Sequence, residues 1–238
     1  MKTFASLDGA LLIDKPAGPT SHDIVDHVRR MFGIAKVGHC GTLDPQATGL
    51  LVLVLGQATK LSEKLMADDK VYSGHICFGV TTNSYDADGD VVASLPVPPL
   101  TLEELNEAGS TFLGDHLQCP PMVSAIKQNG VPLYKLARKG IEVERKSRLV
   151  HIYRFRFTEY EEPVAAFRVA CTKGTYVRSI AHDLGQKIGC GAHLKTLRRL
   201  ISGRFDVKNA IQFEELCKLD PDQLPPRVVP MLQLVTGT

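Results

Sequence analysis

The densest run of chemically capable residues is Gly38-His39-Cys40-Gly41-Thr42-Leu43-Asp44-Pro45-Gln46-Ala47-Thr48-Gly49. Its three glycines and one proline define a loop of fixed shape, and an apolar run, Leu50 to Leu55, follows at once. Asp44 precedes Pro45, so its backbone is steered away from the helical region toward an extended conformation. A carboxylate on a stiff loop at the mouth of a buried strand is placed to act as a nucleophile or a base. The same dipeptide is also a common turn former, so a purely structural Asp-Pro turn fits these residues too. His39, beside glycines, reads by itself as an exposed or capping histidine.

The surrounding elements have to hold that loop. Leu50 to Leu55 reads as a strand buried on both faces, and Gly9 to Ile13 as a second. Asp14-Lys15-Pro16-Ala17-Gly18-Pro19 breaks the latter. Thr20 with Asp23 forms a capping box that opens a helix, with Ile24, Val25, Val28, Met31 and Phe32 on one face. Arg29 and Arg30 lie in its last turn and Gly33 ends it. Further along, Val71 to Phe78, Leu149 to Phe157 and Ala165 to Cys171 read as strands, the last two antiparallel. Asp86 to Asp90 is a turn. Thr101 with Glu104 opens a helix through about Leu113. Val177, Ile180, Ala181, Leu184 and Ile188 mark an amphipathic helix ended by Gly189. Helices and strands mix without a regular βαβ alternation. The expectation is therefore α+β, with a mixed, largely antiparallel central sheet flanked by helices.

At 238 residues, 44% hydrophobic and 23% charged, the chain has the composition of a soluble globular protein. No apolar run reaches membrane-spanning length and no signal peptide is evident. The six cysteines are scattered, as expected of reduced thiols in the cytoplasm. Net charge is only +2, but it is unevenly placed. Lys60 to Asp115 holds ten acids against three bases, and Lys127 to Arg156 nine bases against two acids. Such polarity can present a basic surface to a polyanion, or can simply be solvated and self-neutralising. Two other patterns are set aside. Asp86, Asp88 and Asp90 imitate a calcium loop, but the glycine comes too early and Val97 stands where the bidentate glutamate belongs. Cys190 and His193 lack a second ligand pair. No phosphate-binding Gly-x-x-x-x-Gly-Lys, Rossmann fingerprint or nucleophile elbow is present.

The Gly38–Gly49 segment closely resembles the Gly-His-x-Gly-x-Leu-Asp-Pro-x-Ala-Thr-Gly signature of the TruB family of pseudouridine synthases. The resemblance extends to Gly9–Ser21, to Lys70-Val71-Tyr72 and to Pro120–Lys127 with Tyr134, Ala137, Arg138 and Gly140. It also takes in Gly174–Ser179 and Leu197-Arg198-Arg199, and so runs from about residue 9 to residue 205. It implies the pseudouridine synthase catalytic fold and an isomerase that turns a uridine in the T loop of tRNA, position 55, into pseudouridine. Asp44 would be the catalytic carboxylate. Arg178 would be the cation that favours its ionised form, and Tyr72 would stack on the extruded uracil. His39 would fill the space that the base vacates, with Tyr176 and Leu197 completing the pocket wall. Without the motif, Arg178 reads as a solvated helix arginine, Tyr72 as a core tyrosine and Leu197 as core. The reaction is redox-neutral, so neither metal nor other cofactor is expected.

The same resemblance makes residues 118–148 an RNA-contacting insertion on a single catalytic domain spanning residues 1–238. Lys127, Arg138, Lys139, Arg145, Lys146 and Arg148 would meet the RNA backbone of the tRNA T arm. Residues 206–238 form a short C-terminal extension with a helix near Phe213 to Leu219, too little for the separate RNA-binding domain common in bacterial members. A monomer is expected, with no membrane and no protein partner. Two alternatives stay open: a guide-RNA-dependent pseudouridine synthase, and a noncatalytic protein that binds and refolds tRNA.

Overall fold

Alternating and continuous apolar runs build the strands, in this order. The computed structural model describes residues 7–124, 127–128, 130–133, 136, 140–141 and 143–236. Among these residues the strands are β1 (Gly9–Lys15), β2 (Val37–His39), β3 (Thr48–Leu55), β4 (Lys70–Phe78), β5 (Val80–Thr82), β6 (Val91–Ser94), β7 (Gly114–Gln118), β8 (Lys127–Gln128), β9 (Val131–Pro132), β10 (Arg148–Glu161), β11 (Val164–Cys171), β12 (Ala192–Ser202), β13 (Phe205–Asp206), β14 (Ile211–Gln212) and β15 (Val228–Pro230). The α-helices are α1 (Ser21–Phe32), α2 (Ser62–Met66), α3 (Leu102–Ser110), α4 (Val177–Ile188), α5 (Phe213–Leu216) and α6 (Met231–Thr236). The class is α+β with mostly antiparallel pairing, as the mixed element pattern predicts. None of the described helices is long and apolar enough to cross a membrane.

The chain divides into two compact units. One runs up to Tyr72 and resumes at Leu197; the other is Ser73–Thr196. In the first unit β1 and β3 pair antiparallel from Gly9↔Leu55 to Lys15↔Gly49. Both faces of this pair are covered, which explains the unbroken apolar runs. Leu11, Ile13, Leu51, Leu53 and Leu55 pack with Ile24, Val25, Val28 and Phe32 of α1. Ala10, Leu12, Leu50, Val52 and Val54 pack on the other side with Ala58, Leu65, Phe205 and Leu234. The predicted capping box is present, with Thr20 Oγ1 accepting from Asp23 N at 3.1 Å and Asp23 Oδ2 from Thr20 N at 2.8 Å. Gly33 closes α1 at φ +63°. Residues after Phe205 pack into this unit: β14 lies parallel to β1 and β15 antiparallel to it, with Leu216, Leu224, Val228 and Leu234 buried.

In the second unit β10 pairs antiparallel with β7 on one side and β11 on the other. Phe155, Phe157 and Phe167 form a ring cluster on one face of these strands. α3 lies on that cluster, since a Cβ on Gly109 would stand 3.4 Å from both Phe155 and Phe157. Asn106 of α3 grips the backbone of Phe157 from both sides, donating to its carbonyl at 3.2 Å and accepting from its N–H at 3.0 Å. α3 stops at Ser110, not Leu113, because Leu113 turns outward and Gly114 takes φ +89° to enter β7. α4 is the expected amphipathic helix and ends at Gly189 in the left-handed region. β5 and β6 form a hairpin whose loop carries Asp86.

Candidate active site

In the first unit the loop around Asp44 is clamped by two cations that are themselves buried. Lys15 is 0% exposed and Arg199 1%. Lys15 Nζ donates to the carbonyls of Pro16 and Pro19 at 2.8 Å and of Pro45 at 2.9 Å. An ammonium has three N–H donors, and all three are taken. Arg199 donates through Nε to Leu50 O at 2.7 Å, through Nη2 to Gly41 O at 3.0 Å and through Nη1 to Thr42 O at 3.4 Å. Ser21 Oγ closes the remaining gap, accepting from Leu43 N at 2.9 Å and donating to Leu43 O at 3.1 Å. Gly18 N bonds Pro45 O at 2.9 Å and Ala47 N bonds Asp44 O at 3.1 Å. Residues on both sides of Asp44 are thus fixed, while its own side chain remains half-buried.

Close packing also selects the glycine at the end of the loop. Gly49 has φ +95°, and a Cβ there would come within 2.3 Å of Arg199 O, where β3 runs parallel to β12. β12 is locked to β1 by Arg198, whose guanidinium meets the Asp14 carboxylate at 2.8 and 2.6 Å. Gln212 of β14 donates to the same carboxylate at 2.8 Å.

The electrostatics follow from burial. The Lys15 amine is lowered to about 8, chiefly by desolvation; the Asp44 carboxylate opposes this and Arg199 adds to it. His39 is lowered by burial and then by Arg199 and His22, so it is neutral near pH 7, and its buried Nδ1 has no hydrogen-bond partner among the described residues. Cys40 is pushed up to about 11 by burial and is therefore a packing residue, not a thiolate. Tyr72 and Leu197 are half-buried and pack on the same apolar cluster as Leu43 and Ala47, the neighbours of Asp44.

In the second unit Arg178 is the second residue of α4 and is buried, contrary to a solvated helix arginine. Its guanidinium donates to Val123 O at 2.9 Å and Ser84 O at 3.3 Å, and pairs with Asp86 Oδ2 at 3.2 Å. Asp86 in turn accepts from Ser84 Oγ and from Asp88 N. Burial and the charge of Asp86 push the Asp88 carboxyl upward. Tyr85, at φ +66°, stacks on His182 with 3.8 Å between ring centroids and ties this loop to α4. Tyr176 caps α4 and is gripped by Gln118, which accepts from its N–H at 2.7 Å and donates to its carbonyl at 3.1 Å. The Arg148 guanidinium lies over the Tyr176 ring, 5.6 Å from its centroid.

The remaining residues of the basic insertion are placed unevenly. Arg145 donates to Pro120 O at 3.0 Å, and Lys146 is exposed. Lys127 lies on β8, while Arg138 and Lys139 fall outside the described residues. Asp86 and Gln118 are partners of Arg178 and Tyr176 that the sequence pattern does not single out. The one signal for Asp86 was its Asp-rich turn, which had been weighed only against a calcium loop.

The chain is similar to known proteins in fold and in sequence. Among solved structures, the chain superposes on one from a Cbf5-Nop10-Gar1 complex with a TM-score of 0.75 at 27% identity, covering 95% of this chain and 61% of that one. A chain of an H/ACA RNP bound to a substrate RNA containing 2′-deoxyuridine gives 0.72 at 24% identity, with 95% and 60% covered, a likeness of fold alone. The present chain thus spans about three fifths of the length of those chains. The class is a pseudouridine synthase, an isomerase. The family model for the TruB family pseudouridylate synthase N-terminal domain matches residues 29–177, and that for the tRNA pseudouridylate synthase B C-terminal domain residues 178–236. The tRNA pseudouridine synthase B of Opitutus terrae is 50% identical over 227 residues, 95% of this chain and 94% of that protein. Its namesake in Syntrophotalea carbinolica is 48% identical over 219 residues, 92% and 72% respectively. The chain belongs to the TruB family.

Two outcomes are expected. Replacing Asp86 by Asn removes the carboxylate that holds the buried Arg178 head, so kcat for pseudouridine formation should drop at least tenfold while affinity for RNA changes little; single-turnover and binding assays check this. The second concerns pH. Because the folded Lys15 amine sits near 8, below its ordinary 10.5, the unfolded chain binds more protons between those values. The penalty of burying the charge is complete below about pH 8 and is relieved as pH rises toward 10.5. Urea denaturation should therefore show native stability rising with pH relative to Lys15→Met over that window, and not below it.

Proposed function

We propose that this protein converts a uridine in the T loop of tRNA, position 55 of the tRNA, to pseudouridine, with Asp44 as the catalytic carboxylate. The observation that supports the reading is the Asp44 loop, clamped through its carbonyls by Lys15, Arg199 and Ser21, with Asp44 itself only half-buried. Membership of the TruB family and relatives named tRNA pseudouridine synthase B support the substrate.

The reaction breaks the bond from ribose C1′ to uracil N1 and forms one from C1′ to C5; the proton on C5 is lost and N1 gains one, so atoms and electrons balance without a co-reactant. An ionised Asp44 starts it, by attack on the ring or sugar or by removing a sugar proton. A uridine within a folded loop has to leave its stack before a protein carboxylate can reach it. In this reading Tyr72 supplies a π-face for the extruded uracil, which binds the ring yet tolerates its rotation. His39, neutral and half-buried, fills the space left behind. Arg178, Tyr176 and Leu197 keep their substrate-binding roles. Lys127, Arg138, Lys139, Arg145, Lys146 and Arg148 of the insertion meet the T arm.

The test is incubation of purified protein with unmodified tRNA transcript, without guide RNA, followed by mapping of pseudouridine. Native protein should modify one T-loop uridine, and Asp44→Asn should be at least a thousandfold slower while still binding the tRNA. Equal product from both would remove Asp44 from the mechanism. Product only with an added guide RNA would reassign the protein to the guided class, and binding without product from native protein would favour an RNA-folding role.

A further inference from the structure

The strands of the second unit are covered by α3 and the phenylalanine cluster on one face. On the opposite face the alternation of β10 brings out Leu149, His151, Tyr153, Arg154 and Arg156, with a bulge between Ile152 and Arg154 leaving both Tyr153 and Arg154 exposed. Arg168 comes out from β11 and His75 from β4, and His75 Nδ1 lies 2.7 Å from Thr196 Oγ1 of β12, next to the exposed Lys195.

The charges on this face are arranged at a cost. Arg156 and Arg168 are directly opposite each other in the antiparallel register. Like charges in that position repel and destabilise the pairing. Neither Arg154, Arg156 nor Arg168 forms an ion pair among the described residues. The acids on these two strands that share the face, Glu159 and Glu161, lie at the far end of β10, beyond a second bulge. On β7, Asp115 is engaged by His151 at 2.6 Å.

The uncharged part of the face is equally unusual. Tyr153 is 49% exposed, with its ring 4.6 Å from that of His151. Beside them Leu117 and Leu149 are cross-strand partners, 76% and 67% exposed. Guanidinium groups next to a half-exposed aromatic ring suit single-stranded nucleic acid: phosphates bridge the arginines and relieve their repulsion, and a base stacks against the ring's exposed part.

We propose that this sheet face is a second RNA-contacting surface, with Arg154, Arg156 and Arg168 on successive phosphates and Tyr153 under an unpaired base. It rests on the reading of the protein as a tRNA-modifying enzyme. It uses none of the residues of the basic insertion.

The test measures the affinity of unmodified tRNA transcript across a salt series. It compares native protein, the triple variant Arg154→Gln, Arg156→Gln, Arg168→Gln, and a charge-matched control, Lys187→Gln, Lys208→Gln, Lys218→Gln. Losing three phosphate contacts should reduce the slope of log affinity against log salt by about 2, at roughly 0.7 per single-strand phosphate. Binding near physiological salt should weaken at least tenfold, and kcat at saturating tRNA should stay within about twofold. The control should keep the native slope. Tyr153→Ala should weaken binding severalfold with the slope unchanged, an outcome that does not depend on the triple variant folding. A triple variant that binds like the control, with Tyr153→Ala binding like native, overturns the proposal. Native protein that binds tRNA but forms no pseudouridine removes the catalytic reading alone, and native protein that binds no tRNA removes both.

Discussion

Lys15 and Arg199 carry positive charge into the sheet beside the apolar runs of β1 and β3, and their hydrogen bonds go to backbone carbonyls. Taking an ion out of water costs several kcal/mol even after relaxation. The cost is tolerable because Leu50 to Leu55 are buried on both faces of β3, contributing on the order of 10 kcal/mol before entropy is counted. What the two cations add is shape. The carbonyl oxygens of Pro16, Pro19 and Pro45 converge on Lys15, and those of Gly41, Thr42 and Leu50 on Arg199, so the cations hold them in one arrangement. Asp44 is positioned through its neighbours and is itself half-buried.

The second unit solves a similar problem with different parts. Arg178 is also buried, but it is balanced by a carboxylate, Asp86, as well as by two carbonyls. Asp86 is held in turn by the turn residues around it and by the stack of Tyr85 on His182. A positive head held by several partners at once has little freedom to reorient, the kind of preorganisation by which a fixed charge acts most strongly.

Much of this was legible in the residues, and the rest was hidden for identifiable reasons. The capping box at Thr20 and Asp23, the Gly33 stop and the double-sided burial of β3 follow from local rules, and the structure has them. The stiff loop at Asp44 was also evident from its glycines and Pro45. Lys15 reads as part of a chain break and of the Gly9–Ser21 resemblance; its burial depends in part on the Pro45 carbonyl, thirty residues away, which no local pattern reveals. Arg199 was recognised only as part of a motif. Asp86 reads locally only as part of an imperfect calcium loop, because its partner Arg178 lies far along the chain on another element. Without the family motif, Arg178 reads as a solvated helix arginine for the same reason. Local signals foretell elements; convergence of distant polar groups is visible only once the chain is folded.

The most direct test of the clamp is amide hydrogen exchange of the native protein against Arg199→Lys, whose single ammonium cannot reproduce the guanidinium's fork across Gly41, Thr42 and Leu50. Exchange at Leu43 and Ala47 should accelerate at least tenfold, while the β1–β3 core amides keep their native protection. Unchanged protection at Leu43 and Ala47 in a folded variant would contradict the account, because the loop would then hold its shape without the buried cation.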